Sequence, residues 1–227
     1  MIIFEKSQEK LADYLSKDLK TKAIEIEISK YLNGEFKVEE IDINFSHVLV
    51  LFPRFSNLSD RLISFFLMLN LCRGCEIIDA FIPYIPYSRQ DKSKSFQTII
   101  NITKNFNVRY IITLDIHKNI ENDFILNIFP HELYGSNFLN QDLIVVSPDL
   151  GAKERSEKFA NYLKTDLVII DKKCNKITNF ELIANRNCLI VDDIIDSGKT
   201  LNNSINILKK AGARNIKTCI THNFKNL

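Results

Sequence analysis

A chain of 227 residues with 45% hydrophobic and 26% charged content can bury one large core or two small ones, which excludes disorder. Its formal net charge of +2 is too small to argue for a nucleic-acid or membrane surface. No apolar run reaches the length of a bilayer span, the N-terminus lacks the basic start and apolar centre of a signal peptide, and the five cysteines read as reduced thiols of a cytoplasmic protein.

In chain order, "AIEIEI" (23–28) and "EFKVEEI" (35–41) alternate apolar and polar residues, as half-exposed strands do. "HVLVLF" (47–52) is the first nearly continuous Ile/Val-type run, the pattern of a strand buried on both faces of a parallel sheet. A helix is predicted over 58–72. It closes on Cys72 and Cys75, a Cys-x-x-Cys without a second ligand pair, read as two semi-buried helix-end cysteines rather than a zinc site. "EIIDAFIP" (76–83), a helix over 96–106, and "RYIITLDI" (109–116) come next. "LIVVSP" (143–148), a helix over 152–164, "DLVIID" (166–171) and "CLIVDDII" (188–195) repeat the theme. A last helix over 199–211 ends at Gly212, a C-cap residue. Strand–helix alternation of this kind predicts an α/β fold of two halves, 1–140 and 141–227, with a soft boundary at 140–144.

Chemistry in such folds collects at the carboxyl ends of the strands. Polar residues follow five of them here: "IPYIPYSRQDK", "TLDIHKN", "VVSPDLGAKER", "VIIDKK" and "IVDDIIDSGKT". The last ends like an ATP-binding P-loop, but Asp193 stands where a P-loop needs its first glycine. Asp196, Ser197, Gly198, Lys199 and Thr200 instead form a short turn opening a helix, which aims backbone N–H groups at one spot and suits a phosphomonoester. Asp192 and Asp193 upstream can accept from sugar hydroxyls or reach a hydrated metal. Phosphate on one side and carboxylates on the other fit a phosphorylated pentose. An ordinary helix cap explains one acid and one hydroxyl, but not three acids and the glycine. His47, His131 and His222 belong to no constellation, and Tyr84 and Tyr87 read as packing residues.

The turn resembles the ribose-5-phosphate loop of the phosphoribosyltransferase-type fold. The five motifs, preceded by "YLNGEFKVE", occur in the order found in the ribose-phosphate pyrophosphokinase family, and the resemblance covers nearly the whole chain. It implies two phosphoribosyltransferase-like domains, each a mainly parallel sheet flanked by helices. It also implies transfer of a diphosphoryl group from ATP to ribose 5-phosphate with Mg2+, releasing AMP, in a homo-oligomer with ATP sites at an interface. By resemblance, Asn33, Gly34 and Glu35 lie near the adenosine, and Arg89 and Gln90 contact ATP. His117 and Asp149 help hold magnesium, and Lys172 faces the charge that develops in transfer. Asp192, Asp193 and 196–200 take ribose 5-phosphate.

The chain departs from the family's pattern at several points. Asn33 replaces an acid, Cys174 replaces a second arginine two positions after Lys172, Ala152 replaces a glycine, and Lys199 replaces a small residue. The family's chain also continues beyond the point where this one stops. Losing one cation costs on the order of 2–4 kcal/mol of transition-state stabilisation. Two other readings therefore stand beside the first: a phosphoribosyltransferase consuming phosphoribosyl diphosphate, and a catalytically impaired homologue acting as a nucleotide-binding or regulatory partner.

Overall fold

The structure is a computed structural model. It describes residues 1–55, 57–90, 93–117, 122–171 and 176–224, with backbone alone at Gln90 and Lys176. The chain divides into two compact units, Met1–Ile128 and Phe129–Leu227.

The first unit is built on β1 (Ile2–Phe4), β2 (Ala23–Glu25), β5 (His47–Leu51), β6 (Ile77–Phe81), β7 (Val108–Leu114) and β8 (Ile125–Ile128). These form one parallel sheet of order β2-β1-β5-β6-β7-β8. Helix α1 (Glu9–Asp18) covers one face at β1 and β2, where Ala12 packs with Ile2, Phe4 and Leu51. Helices α2 (Leu58–Leu71) and α3 (Lys94–Lys104) cover the other, placing Phe65, Met68, Leu69, Phe96 and Ile100 against Val48, Val50, Ile78 and Ala80. Asn57 and Ser93 start these helices by accepting from the backbone N–H groups of Asp60 and Phe96. The stretch 23–28, predicted as one strand, splits in two. Ile26 donates its N–H to Phe4 and is buried, and the chain then leaves the sheet. It turns back on itself in a two-stranded antiparallel hairpin of β3 (Ile28–Lys30) and β4 (Phe36–Val38).

The second unit holds β9 (Leu143–Ser147), β10 (Leu167–Asp171), β11 (Lys176–Ile177), β12 (Asn187–Ile195) and β13 (Asn215–Asn223). Their order is β11-β10-β9-β12-β13, parallel except for the antiparallel edge strand β11. After the short α4 (His131–Gly135), helix α5 (Lys153–Leu163) packs Phe159 and Ala160 onto Leu143, Val145, Leu189 and Val191. Helix α6 (Lys199–Lys210) packs Leu208 onto the opposite face, on Ile144, Val146, Val168 and Ile190. Each unit is thus a parallel sheet with helices on both faces, the arrangement that near-continuous apolar strands require. Strand β13, not among the strands expected from the sequence, runs through Thr221 and His222 to Asn223 beside β12.

Cys72 is fully buried, and burial, with Cys75 beside it, pushes its thiol up to about 12, so it packs as a neutral core side chain. Among the described residues no helix is long and apolar enough to cross a membrane.

Candidate active site

In the second unit the candidate residues gather at the carboxyl ends of β9 and β12. Asp149 follows β9 and caps the 3-10 turn Leu150–Ala152, its Oδ1 accepting from the Gly151 and Ala152 N–H groups at 3.0 and 3.2 Å. The Ser147 hydroxyl donates to the Asp149 carbonyl at 2.7 Å and closes the loop from below. Helix α5 begins directly after, so the loop is held at both ends. The Ala152 side chain, at a position the resemblance gives to glycine, is buried in the turn.

Strand β12 delivers Asp192 and Asp193. Asp193 is 2% exposed and lies 2.7 Å from Arg155 Nη1, a buried guanidinium from the first turn of α5. Asp192 is half-buried, and its Oδ1 accepts from the Asp193 N–H at 3.0 Å. Burial first, and then the neighbouring Asp193 carboxyl, push Asp192 up to about 7. A carboxyl poised there can donate to or accept from a sugar hydroxyl near neutral pH. Arg155 is a residue that sequence reasoning missed; its acidic partner lies 38 residues along the chain, and only the packing of α5 on β12 joins them.

The turn at 196–200 opens α6 as expected. Gly198 takes the left-handed conformation, φ 75° and ψ 4°, that a side chain disfavours, and no side chain caps the helix from that position. Lys199 N donates to the Ser197 hydroxyl over a long 3.4 Å, and Asn202 N closes the first helical turn on the Gly198 carbonyl at 2.9 Å. Asp196, Ser197, Lys199 and Thr200 are all exposed around this turn. A helix start of this form favours an anion.

In the first unit Asn33, Gly34 and Glu35 form the tip of the β3–β4 hairpin. Gly34 has φ 91°, the Asn33 side chain accepts from Glu35 N at 3.2 Å, and Tyr31 N donates to the Glu35 carbonyl at 2.9 Å. The tip is exposed and fastened at its base, where Lys30 pairs with Asp60 of α2 at 2.6 Å and Phe36 stacks on Phe55. Arg89 is exposed in the 3-10 turn Ser88–Gln90 after β6. Tyr87 before it, read as a packing residue, is 44% exposed with φ 65°, so it shapes the loop rather than the core. Asp115, also at positive φ (43°), is buried where β7 ends, and half-buried His117 follows. Two bonds to β8 hold this turn: Asp115 N donates to the Ile128 carbonyl at 2.9 Å and Ile116 N to the Asn127 side chain at 3.0 Å. Non-glycine residues held in the left-handed region mark places where the surroundings over-determine the backbone, which is common at functional loops. Lys172 and Cys174 lie outside the described residues.

Magnesium prefers oxygen ligands, takes few of them from protein, keeps its waters and leans on substrate phosphates; the Asp149 carboxylate is a donor of that type, whereas the His117 imidazole is not a preferred direct ligand. Among the described residues no three His, Cys, Asp or Glu side chains gather into a metal cage. A magnesium carried by a phosphate chain fits a single carboxylate of this kind.

Two parallel α/β sheets with acidic and glycine-bearing loops at their strand ends define a protein of the phosphoribosyltransferase-type fold. A family model for the phosphoribosyl transferase domain matches residues 130–226, and one for the N-terminal domain of ribose phosphate pyrophosphokinase matches residues 1–108. The chain is 30% identical over 233 residues to the ribose-phosphate pyrophosphokinase of Clostridium perfringens (strain 13 / Type A), covering 88% of this chain and 72% of that relative. It is 29% identical over 247 residues to that of Ralstonia nicotianae, covering 98% and 78%. The crystal structure of phosphoribosylpyrophosphate synthetase from Mycobacterium smegmatis superposes with a TM-score of 0.83 at 26% identity, over 98% of this chain and 80% of that one. The chain belongs to the ribose-phosphate pyrophosphokinase family, a family of diphosphotransferases.

Proposed function

We propose that this chain transfers the terminal diphosphoryl group of ATP to the anomeric hydroxyl of ribose 5-phosphate, releasing AMP and phosphoribosyl diphosphate. The observation that carries the reading is the end of β12: a poised Asp192, a buried Asp193 and a glycine turn at the start of α6. Acid for the sugar and helix amides for its phosphate are the two complements this substrate needs. The ATP side falls to the N-terminal half and the ribose 5-phosphate side to the C-terminal half.

In this reading Asn33, Gly34 and Glu35 meet the adenosine. Asn33 spends its side-chain oxygen on its own turn, so Gly34 and Glu35 carry more of that contact. Arg89 and Gln90 grip the phosphate chain, Arg89 as a fork donor. His117 and Asp149 would hold magnesium. The ion supplies neutralisation of phosphate charge when bound. Lys172 faces the charge that grows on the transferred group. Asp192, Asp193, Asp196, Ser197, Gly198, Lys199 and Thr200 hold ribose 5-phosphate. The chain works in the cytoplasm as a homo-oligomer.

The test is to incubate the protein with ATP, ribose 5-phosphate and magnesium and to follow AMP and phosphoribosyl diphosphate. Equal amounts of both support the reading. No AMP, together with release of diphosphate from added phosphoribosyl diphosphate and a nucleobase, makes the chain a phosphoribosyltransferase. That second reading is favoured by Lys199 in the exposed turn.

A further inference from the structure

Asp192 and Asp193 are consecutive residues near the end of one strand, and their carboxyls lie close enough for a side-chain hydrogen bond between them to raise Asp192. Asp193 points into the interior, where the Arg155 guanidinium meets it; the two side chains are 3% and 7% exposed. The same Arg155 Nη1 lies 3.8 Å from Asp192 Oδ1, whose side chain keeps 18% of its surface. One buried cation therefore serves both acids. Ser156, the next residue of α5, donates its hydroxyl to the Val191 carbonyl at 3.4 Å, tying the helix start to the residue just before the acids.

Helix stability does not explain an arginine at this point. Arg155 is the third residue of α5, where the helix dipole disfavours a cation. Burying a guanidinium there is costly unless its partners are close and charged. Its partners are the acids of β12, and its helix starts from the Asp149 loop. Arg155 thus links the loop after β9 to the end of β12 within one unit. Without it, two adjacent carboxyls in a low-dielectric pocket would lose the guanidinium that meets them both.

We propose that Arg155 is a positioning residue for the acid pair: it holds Asp193 in the interior and so fixes the direction in which Asp192 meets the hydroxyls of ribose 5-phosphate. The inference rests on the reading of β12 as the ribose 5-phosphate end of the site. Burial and the neighbouring acid drive the Asp192 carboxyl up, and the Arg155 charge acts against them.

The experiment compares wild type, Arg155→Met and Arg155→Lys by thermal unfolding, by calorimetric binding of ribose 5-phosphate, and by AMP release with each substrate varied. Arg155→Met is expected to raise the KM for ribose 5-phosphate by about ten- to a hundredfold, the worth of hydrogen bonds to a charged group. The KM for ATP should stay unchanged, and Arg155→Lys should recover part of the loss because it keeps the charge but not the fork. If Arg155→Met does not fold, the lysine variant decides: a raised KM for ribose 5-phosphate with that for ATP unchanged supports the proposal. Folded variants with wild-type affinity for ribose 5-phosphate overturn it and leave the functional reading standing. Lowered melting with equal losses toward both substrates also overturns it, because that is what a merely structural ion pair gives. Wild type that binds no ribose 5-phosphate overturns the functional reading and this inference together.

Discussion

Each unit buries an aspartate in its sheet, and the two sit in opposite electrostatic company. Asp79 of β6 lies toward the start of the strands in the first unit. Arg109 of β7 grips it through Nε at 3.0 Å and Nη2 at 2.5 Å, and His47 Nε2 of β5 lies 2.7 Å away. Burial alone would raise its carboxyl, but the Arg109 and His47 hydrogen bonds outweigh burial and hold it below the usual carboxylate value. Asp192 of β12 lies toward the end of the strands in the second unit. It has a second acid beside it and shares one arginine with that acid, so burial wins and its carboxyl rises to about 7. A saturated carboxylate is a structural part. A carboxyl left short of positive charge is strained toward a ligand, which is how perturbed acids come to mark sites. The difference lies in desolvation set against the positive charge near each acid: two cationic partners outweigh burial at Asp79, and a shared arginine does not at Asp192.

The largest expected effect breaks the comparison on the Asp192 side. Asp192→Asn keeps the shape and removes the acceptor charge, so kcat/KM for ribose 5-phosphate should fall by about a hundredfold, the worth of a hydrogen bond to a charged group. Asp79→Asn should leave that ratio at the wild-type value. Steady-state AMP release with ribose 5-phosphate varied checks both. Equal losses in the two variants would erase the distinction between a structural and a functional aspartate.

Next in size is stability. Asp79→Ala leaves the Arg109 and His47 side chains without their buried acid. A broken buried pair costs ~3–5 kcal/mol, but Arg109 and His47 are each about half exposed (45% and 51%), so solvent screening reduces the expected loss to ~1–3 kcal/mol. Urea unfolding at neutral pH measures it, and a loss within error would mean that water replaces the pair at no cost.

The two shifts also predict opposite pH dependences of folding. Asp79, lowered in the folded state, contributes stability that is present above its unfolded value of 3.8 and is lost as pH falls through the folded value. Asp192, raised to about 7, does the reverse. Between 3.8 and about 7 the folded chain holds a proton that the unfolded chain has released, so stability falls as pH rises through that window. Unfolding curves for wild type and Asp192→Asn should lie closer together at pH 5 than at pH 8, the variant gaining on wild type as pH rises through the window. A constant gap at both pH values would show that Asp192 titrates normally.

The same geometry decides how much of this was legible in the sequence. The near-continuous Ile/Val runs at 47–52, 76–83, 109–116, 143–148 and 188–195 announce strands buried on both faces, and each is a central or near-central strand. Strand β1 has three residues and β8 carries Leu126 and Ile128 outward, so neither leaves a pattern to read. Helix α1 is mostly polar because it covers only the edge of its sheet. The turn at 196–200 was legible because one segment holds all its parts. The pairs Asp79–Arg109 and Arg155–Asp193 were not, because strand register and helix packing create them across 30 and 38 residues. The left-handed backbones of Tyr87 and Asp115 escaped notice because no glycine flags them.

The smallest expected effect tests whether the Asp115–His117 turn resembles Asp79 or Asp192 in kind. Asn127 of β8 accepts from Ile116 N, and among the described residues its own buried Nδ2 has no hydrogen-bond partner. Asn127→Ala removes the acceptor, which leaves a backbone N–H unsatisfied at a cost of ~1–3 kcal/mol, but it also removes the orphan donor, which offsets part of that cost. The net loss of folding stability should be ~1 kcal/mol or less. If the turn merely closes the sheet, that loss is the whole effect. If it presents His117 to the nucleotide side, the freed turn should also raise the KM for ATP by a few-fold while the KM for ribose 5-phosphate stays put. Kinetics with each substrate varied in turn separates the two. An unchanged KM for ATP would place the turn with Asp79, as structure, and leave the nucleotide to the β3–β4 hairpin and Arg89.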